Sequence, residues 1–136
     1  MTVPSFTPGR IALALLLAAA STAAQTATPA ELLAGYTAKA GAAASPEAGQ
    51  KLFTTNFGRD LGFSCSSCHT ANPLKDGKDQ VTEKKIKPLA PAANAARFTD
   101  PDKVEFNFNL NCKDVVGRLC TPAEKANVLA WLLSLK

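Results

Sequence analysis

The apolar positions of this chain recur at helical spacing behind four similar start signals. Thr28-Pro29-Ala30-Glu31 combines a capping box with proline at the first helical position, and predicts a helix that carries Leu32, Leu33 and Tyr36 and ends at Gly41 to Ala44. Ser45-Pro46-Glu47 opens a second, short helix, in which Gly49 and Phe53 fall four apart on one face. Thr99-Asp100-Pro101-Asp102 announces a third, running through Val104, Phe106, Phe108 and Leu110. Thr121-Pro122-Ala123-Glu124 announces a fourth, and its Val128, Leu129, Trp131, Leu132, Leu133 and Leu135 form the widest apolar face of the chain. No strand pattern competes with these, so the expected fold class is all-α.

Two stretches stand outside this scheme. Arg10 precedes the apolar run Ile11 to Ala20 and small residues through Ala24, the order of a secretory signal peptide. The run is short for a membrane span, which needs about 20 apolar residues. The expected division is therefore a cleaved leader, residues 1–24, and one domain, residues 25–136, exported to the periplasm with no stable membrane insertion. Thr70 to Pro91 is rich in Lys, Asp, Gly and Pro without period, and predicts a long irregular connection that must wrap something to be ordered.

At 136 residues the chain has room for one domain with a modest core. Its net charge of +4 falls to +3 once the leader's single charge, Arg10, is removed, an excess too small to suggest nucleic-acid binding. The informative counts are four Cys, one His and one Met, because these types supply soft metal and haem ligands.

Cys65-Ser66-Ser67-Cys68-His69 is a C-x-x-C-H sequence, the attachment signature of a c-type haem. The spacing suits thioethers from Cys65 and Cys68 to the two vinyl groups of one porphyrin, with the His69 imidazole aimed at the iron. The alternatives are a thioredoxin-like dithiol, a zinc site and a structural disulfide between Cys65 and Cys68; the first would want a βαβ context and the second a further ligand pair, and the chain offers neither. Cys112 and Cys120 lack a following His and read as a disulfide, one that restricts the unfolded chain by roughly 2–3 kcal/mol on the chain-entropy model.

With His69 taken as proximal ligand and Met1 lost with the leader, neither bis-His nor His/Met coordination is available. The distal candidates are water, a deprotonated Lys, the Tyr36 phenolate, or an amide oxygen from Asn107, Asn109 and Asn111. Asn107 and Asn111 share a helical face, whereas Asn109 is turned away by about 200 degrees. Asn111 adjoins the tethered Cys112 and is the first choice; the competing reading makes all three solvated or capping amides. A neutral amide oxygen is a hard, weak donor, so reduction of the iron should loosen it and open a position for a diatomic gas. Three functions remain: a gas-binding haem protein, a plain electron shuttle, or a haem enzyme such as a peroxidase, which would lack a distal His base. The sequence does not divide gas binding from oxygen or nitric oxide reductase turnover.

Together these residues resemble the SHP-type class I cytochromes c. The resemblance rests on Cys65 to His69, Pro88-Leu89-Ala90-Pro91, Ala96-Arg97-Phe98-Thr99-Asp100-Pro101, Asn111-Cys112, and Val116-Gly117-Arg118 through Cys120-Thr121-Pro122 to Leu129-Ala130-Trp131-Leu132. It implies a class I cytochrome c fold, one covalently attached haem c with its iron, His69 as proximal and Asn111 as distal ligand, and a Cys112–Cys120 disulfide. It further implies oxygen and nitric oxide binding on reduced iron, electron delivery from a dihaem cytochrome c partner, and contact of Gly49 and Phe53 with the Trp131 face. Where relatives carry Trp and paired Arg before the Asn-Cys pair, this chain has Asn107, Asn109 and Leu110, which leaves fewer positive charges beside the distal site. Lys75, Lys78, Lys84, Lys85 and Lys87 in the long connection are candidates for guiding an acidic redox partner.

Overall fold

The structure, a computed structural model, describes residues 26–58 and 62–136; the leader expected at residues 1–24 lies outside the described residues. Five helices and one small ladder follow in order: α1 Pro29–Ala40, α2 Pro46–Thr54, α3 Cys65–His69, β1 Gly77–Lys78, β2 Lys85–Ile86, α4 Pro101–Val115 and α5 Pro122–Ser134. The four expected helices are α1, α2, α4 and α5, and each begins with proline behind a side-chain cap. Thr28, Ser45, Asp100 and Thr121 accept from the backbone N–H three residues on, at 3.0 to 3.2 Å. Glu31 and Glu124 return the bond to the backbone of Thr28 and Thr121, closing capping boxes on α1 and α5. Such caps contribute about 1 kcal/mol each and set helix starts locally, which explains why the start signals sufficed. Gly41, at φ 66°, closes α1 in the left-handed conformation.

Helices α1 and α2 both pack on α5. Phe53, Leu129 and Leu132 are fully buried there, and the rings of Phe53 and Trp131 lie 4.9 Å apart between centroids. Gly49 lets α2 approach α5 closely: a Cβ at this position would stand 2.0 Å from the carbonyl oxygen of Asn127. The Asn127 side chain accepts from the backbone N–H of Ser45 at 2.7 Å, so α5 also stitches the entrance of α2. The crossing of helices from the two ends of the domain, with Gly49 and Phe53 against the Trp131 face, is thus present as expected.

This contact carries a prediction. Gly→Ala in an exposed helix gains up to about 1 kcal/mol from propensity. At residue 49 the added methyl meets backbone, which cannot swing aside, and the overpacking penalty of about 1–3 kcal/mol or more wins. Gly49→Ala should therefore lower the thermal midpoint of the haem-loaded protein by several degrees, whereas Gly35→Ala, with open space around its Cβ, should not.

One expectation is corrected. The connection after residue 70 is not wholly irregular: Gly77 pairs with Ile86 and Lys78 with Lys85 in an antiparallel ladder, too short to leave an alternating pattern in the sequence. The third helix runs through Val104, Phe106, Phe108 and Leu110 as expected; of these four, Val104 and Phe108 turn inward, and Phe106 and Leu110, four apart on another face, are 67% and 47% exposed. Among the described residues no helix is long and apolar enough to cross a membrane.

Candidate functional site

A cavity of about 530 Å³ lies between α3, α4 and α5, within the range of cofactor sites. Cys65, Cys68 and His69 of α3 line it, as do Asn107, Phe108, Asn111 and Cys112 of α4 and Val128 and Leu132 of α5. Phe53, Leu89 and Phe98 complete an apolar wall. Phe98, 9% exposed, is held at φ 60°, a left-handed backbone that a bulky residue adopts only where its surroundings fix it.

The short helix that presents the C-x-x-C-H residues is built by local chemistry. Ser64 precedes it in extended conformation, its N–H donating to the Ser67 hydroxyl at 3.0 Å. The hairpin holds it from the other side. A Cβ on Gly77 would lie 2.0 Å from the Cys68 carbonyl oxygen, so only glycine lets β1 approach this closely, and the Gln80 amide donates to the Ser67 carbonyl at 2.8 Å. Thr70, directly after His69, sits at φ 62° and ψ 159°, a region nearly restricted to glycine, with its hydroxyl donating to the Asn72 carbonyl.

Cys65 and Cys68 are free thiols, not a disulfide. Burial pushes the Cys65 thiol up to about 11. His69 is held down to about 4, first by burial and then by the positive charge of Arg97, so its imidazole is neutral at pH 7. Its Nδ1 is buried without a hydrogen-bond partner.

The structure separates the distal candidates. The Tyr36 hydroxyl donates to Glu105 at 2.9 Å and is absent from the cavity wall, which removes the phenolate. Burial, and then the bond to Glu105, push this phenol above its ordinary value. Asn109 points away from the cavity, as its helical position required, and its Oδ1 accepts from Lys125. Asn107 lines the cavity, but its amide donates to the Lys103 carbonyl one turn back at 2.7 Å. Asn111 lines the cavity, and among the described residues its side chain forms no hydrogen bond. Lys103 and Lys113 also border the cavity.

Cys112 and Cys120 form the expected disulfide, with Cα atoms 5.7 Å apart, and both border the cavity next to Asn111. Three groups escaped sequence reasoning. Arg97 lines the cavity, with Nε and a terminal nitrogen donating to the carbonyls of Pro88 at 3.0 Å and Lys87 at 2.7 Å. It brings to the site a positive charge that the stretch before Asn111 lacks. Lys125, which is buried, and Glu105, which is half-exposed, form an ion pair on the far side of α4. The signal for Lys125 was its place in the apolar stripe with Val128, Leu129 and Leu132. Of the lysines in the connection, Lys78 is paired with Glu83 and Lys85 with Asp76, exposed bridges of about 0–1 kcal/mol each.

The residues present fit a c-type haem. Two unpaired thiols and a neutral buried imidazole share one helix, and an apolar wall and a guanidinium line the same cavity. Comparison with known proteins agrees. Residues 39–132 match the model of a domain of unknown function, DUF1924. The chain is 49% identical over 107 residues to cytochrome c-type protein SHP of Cereibacter sphaeroides, covering 77% of this chain and 82% of that one. It is 51% identical over 82 residues to cytochrome c″ of Methylophilus methylotrophus, covering 60% of this chain and 56% of that longer protein. The structure of oxidized SHP, an oxygen-binding cytochrome c, superposes with a TM-score of 0.71 at 48% identity, covering 77% of this chain and 95% of that one. Oxidized cytochrome c″ superposes with a TM-score of 0.74 at 42% identity, covering 79% and 94%. The helices, the cavity and this likeness converge, and the chain belongs to the SHP-type c-type cytochromes, all-α proteins that carry a covalently attached haem.

Proposed function

We propose that this chain is an exported monohaem cytochrome that binds diatomic gases, oxygen or nitric oxide, behind a distal asparagine released on reduction, and that exchanges electrons with a partner such as a dihaem cytochrome c. Residues 1–24 are its leader, residues 25–136 its working domain, and the periplasm its compartment. The haem, when bound, supplies a redox-active iron at which a gas is taken up and an electron exchanged.

Each residue then has a task. Cys65 and Cys68 anchor the group through thioethers, so it stays in place whatever its axial ligands do. His69, neutral at pH 7, offers a lone pair on the proximal side without first losing a proton. Arg97, braced on two carbonyls in the cavity wall, would supply positive charge to the carboxylates of the group. Phe108, Val128 and Leu132 would exclude water from the group. Asn111 would hold the iron on the distal side through a neutral amide oxygen, a hard, weak donor that suits ferric better than ferrous iron.

The observation that carries this reading is the state of the three asparagines: Asn107 and Asn109 are committed to hydrogen bonds inside the protein, and Asn111 alone faces the cavity uncommitted. Two relatives support it by analogy. SHP is an oxygen-binding cytochrome c, and the solution structure of cytochrome c″ addresses haem-ligand detachment. Electron paramagnetic resonance of the ferric protein tests it. Asn111→Ala should change the spectrum, and the reduced wild-type protein should bind carbon monoxide rapidly. An unchanged ferric spectrum would take Asn111 off the iron. Failure of the reduced protein to bind the gas would favour the second reading, a plain electron-transfer cytochrome.

A further inference from the structure

Helix α4, which carries Asn111, is fastened to the domain largely by side chains. One tie is the disulfide at its C-terminal end. The other is a cluster where α1, α4 and α5 meet. Lys125 of α5 is 6% exposed and donates to Glu105 and, at 3.3 Å, to the Asn109 amide oxygen. Tyr36 of α1 donates to the second oxygen of Glu105. The Lys125 Nζ lies 5.8 Å from the centre of the Tyr36 ring and 5.9 Å from that of Phe108, and the two rings meet edge to face.

Stability alone does not account for a lysine here. The position belongs to the apolar stripe of α5, and burying an ammonium there costs more than its pairing returns in many proteins. What the ammonium does provide is a two-point grip. Glu105 and Asn109 are one turn apart on α4, and holding both fixes the rotation of α4 about its own axis. The opposite half of α4 presents Asn107 and Asn111 to the cavity, and Phe108 touches both sides.

We propose that Lys125 is a positioning residue of the distal site: by gripping Glu105 and Asn109 it sets the rotation of α4 and thereby the aim of Asn111 into the cavity. The proposal rests on the reading of Asn111 as distal ligand. Lys125→Met keeps the length of the side chain and removes the grip. In the haem-loaded protein it should shift the ferric paramagnetic resonance spectrum toward that of Asn111→Ala. It should also raise the rate of carbon monoxide binding to the reduced form by roughly three- to tenfold, within the lower part of the coupling range for neighbouring side chains. In an Asn111→Ala background the same substitution should leave the rate unchanged. Asn109→Ala, which removes one of the two holds without disturbing the ion pair, should shift the spectrum in the same direction and covers the case in which Lys125→Met does not fold.

Wild-type spectra and rates in Lys125→Met, whatever its thermal midpoint, would overturn the positioning role and leave Asn111 in place, and so would wild-type spectra in Asn109→Ala should Lys125→Met not fold. An equal acceleration with and without Asn111 would overturn it too, by showing that Lys125 acts on the pocket at large. If Asn111→Ala by itself changes nothing, both readings fall.

Discussion

A chain in which Cys65 and Cys68 are both serine is expected to lose its haem completely on a denaturing gel, where the wild-type chain keeps it. It is also expected to lose most of its helical circular dichroism when expressed in the same host. The first effect follows from the thioethers, since serine offers no sulfur to the vinyl groups. The second follows from the core. A domain folded around a site of about 530 Å³ with nothing to fill it would lose roughly 24 cal/mol per Å³, on the order of 10 kcal/mol at most, because water entering through the open mouth reduces the figure. That is comparable to the whole stability of an ordinary domain, about 5–15 kcal/mol. Replacing only one cysteine should leave a single thioether and a folded protein. A double variant that retained haem through denaturation would refute the assignment of Cys65 and Cys68. One that folded fully without haem would show that α1, α2 and α5 suffice as a core.

Which parts of this molecule the sequence disclosed depends on the range of the interactions involved. Helix starts were legible because each rests on a bond spanning three residues, as from Thr121 to Glu124. The turning of Asn109 away from Asn111 was legible from the helical period alone, and the disulfide from the count of remaining cysteines. The commitment of Asn107 to the Lys103 carbonyl was not, since an amide on a helix surface can equally well face solvent. Nor was the partner of Tyr36, which lies 69 residues away on a helix whose orientation only the folded domain defines. Lys125 stood next to Glu124 of a capping box, and that local role concealed the longer-range one on its apolar stripe. The ladder of β1 and β2 arises because Gly77 must pass close to α3, a demand of the tertiary structure.

Replacing Cys112 and Cys120 together by alanine should have the next largest effect, and one with two separable parts. Closing a loop of eight residues' separation restricts the unfolded chain, and its loss should cost roughly 2–3 kcal/mol on the chain-entropy model, within the 2–5 kcal/mol usual for small exported domains. For a domain of this size each kcal/mol moves the thermal midpoint by roughly 4–8 °C, so a fall of about 10–20 °C is expected in calorimetry of the haem-loaded protein. The second part is local. The bridge pins the last turn of α4 to the start of α5, and Cys112 is the residue after Asn111. Without it the remaining ties of α4, the Lys125 and Tyr36 bonds and the packing of Val104 and Phe108, all lie nearer the start and middle of the helix, and the turn bearing Asn111 is free to fray. The ferric spectrum should therefore broaden toward that of Asn111→Ala at temperatures well below the new midpoint. A lowered midpoint with a sharp wild-type spectrum would make the disulfide a staple alone. Both changes together would mean that the same bond that stabilises the domain also holds the distal side chain over the haem.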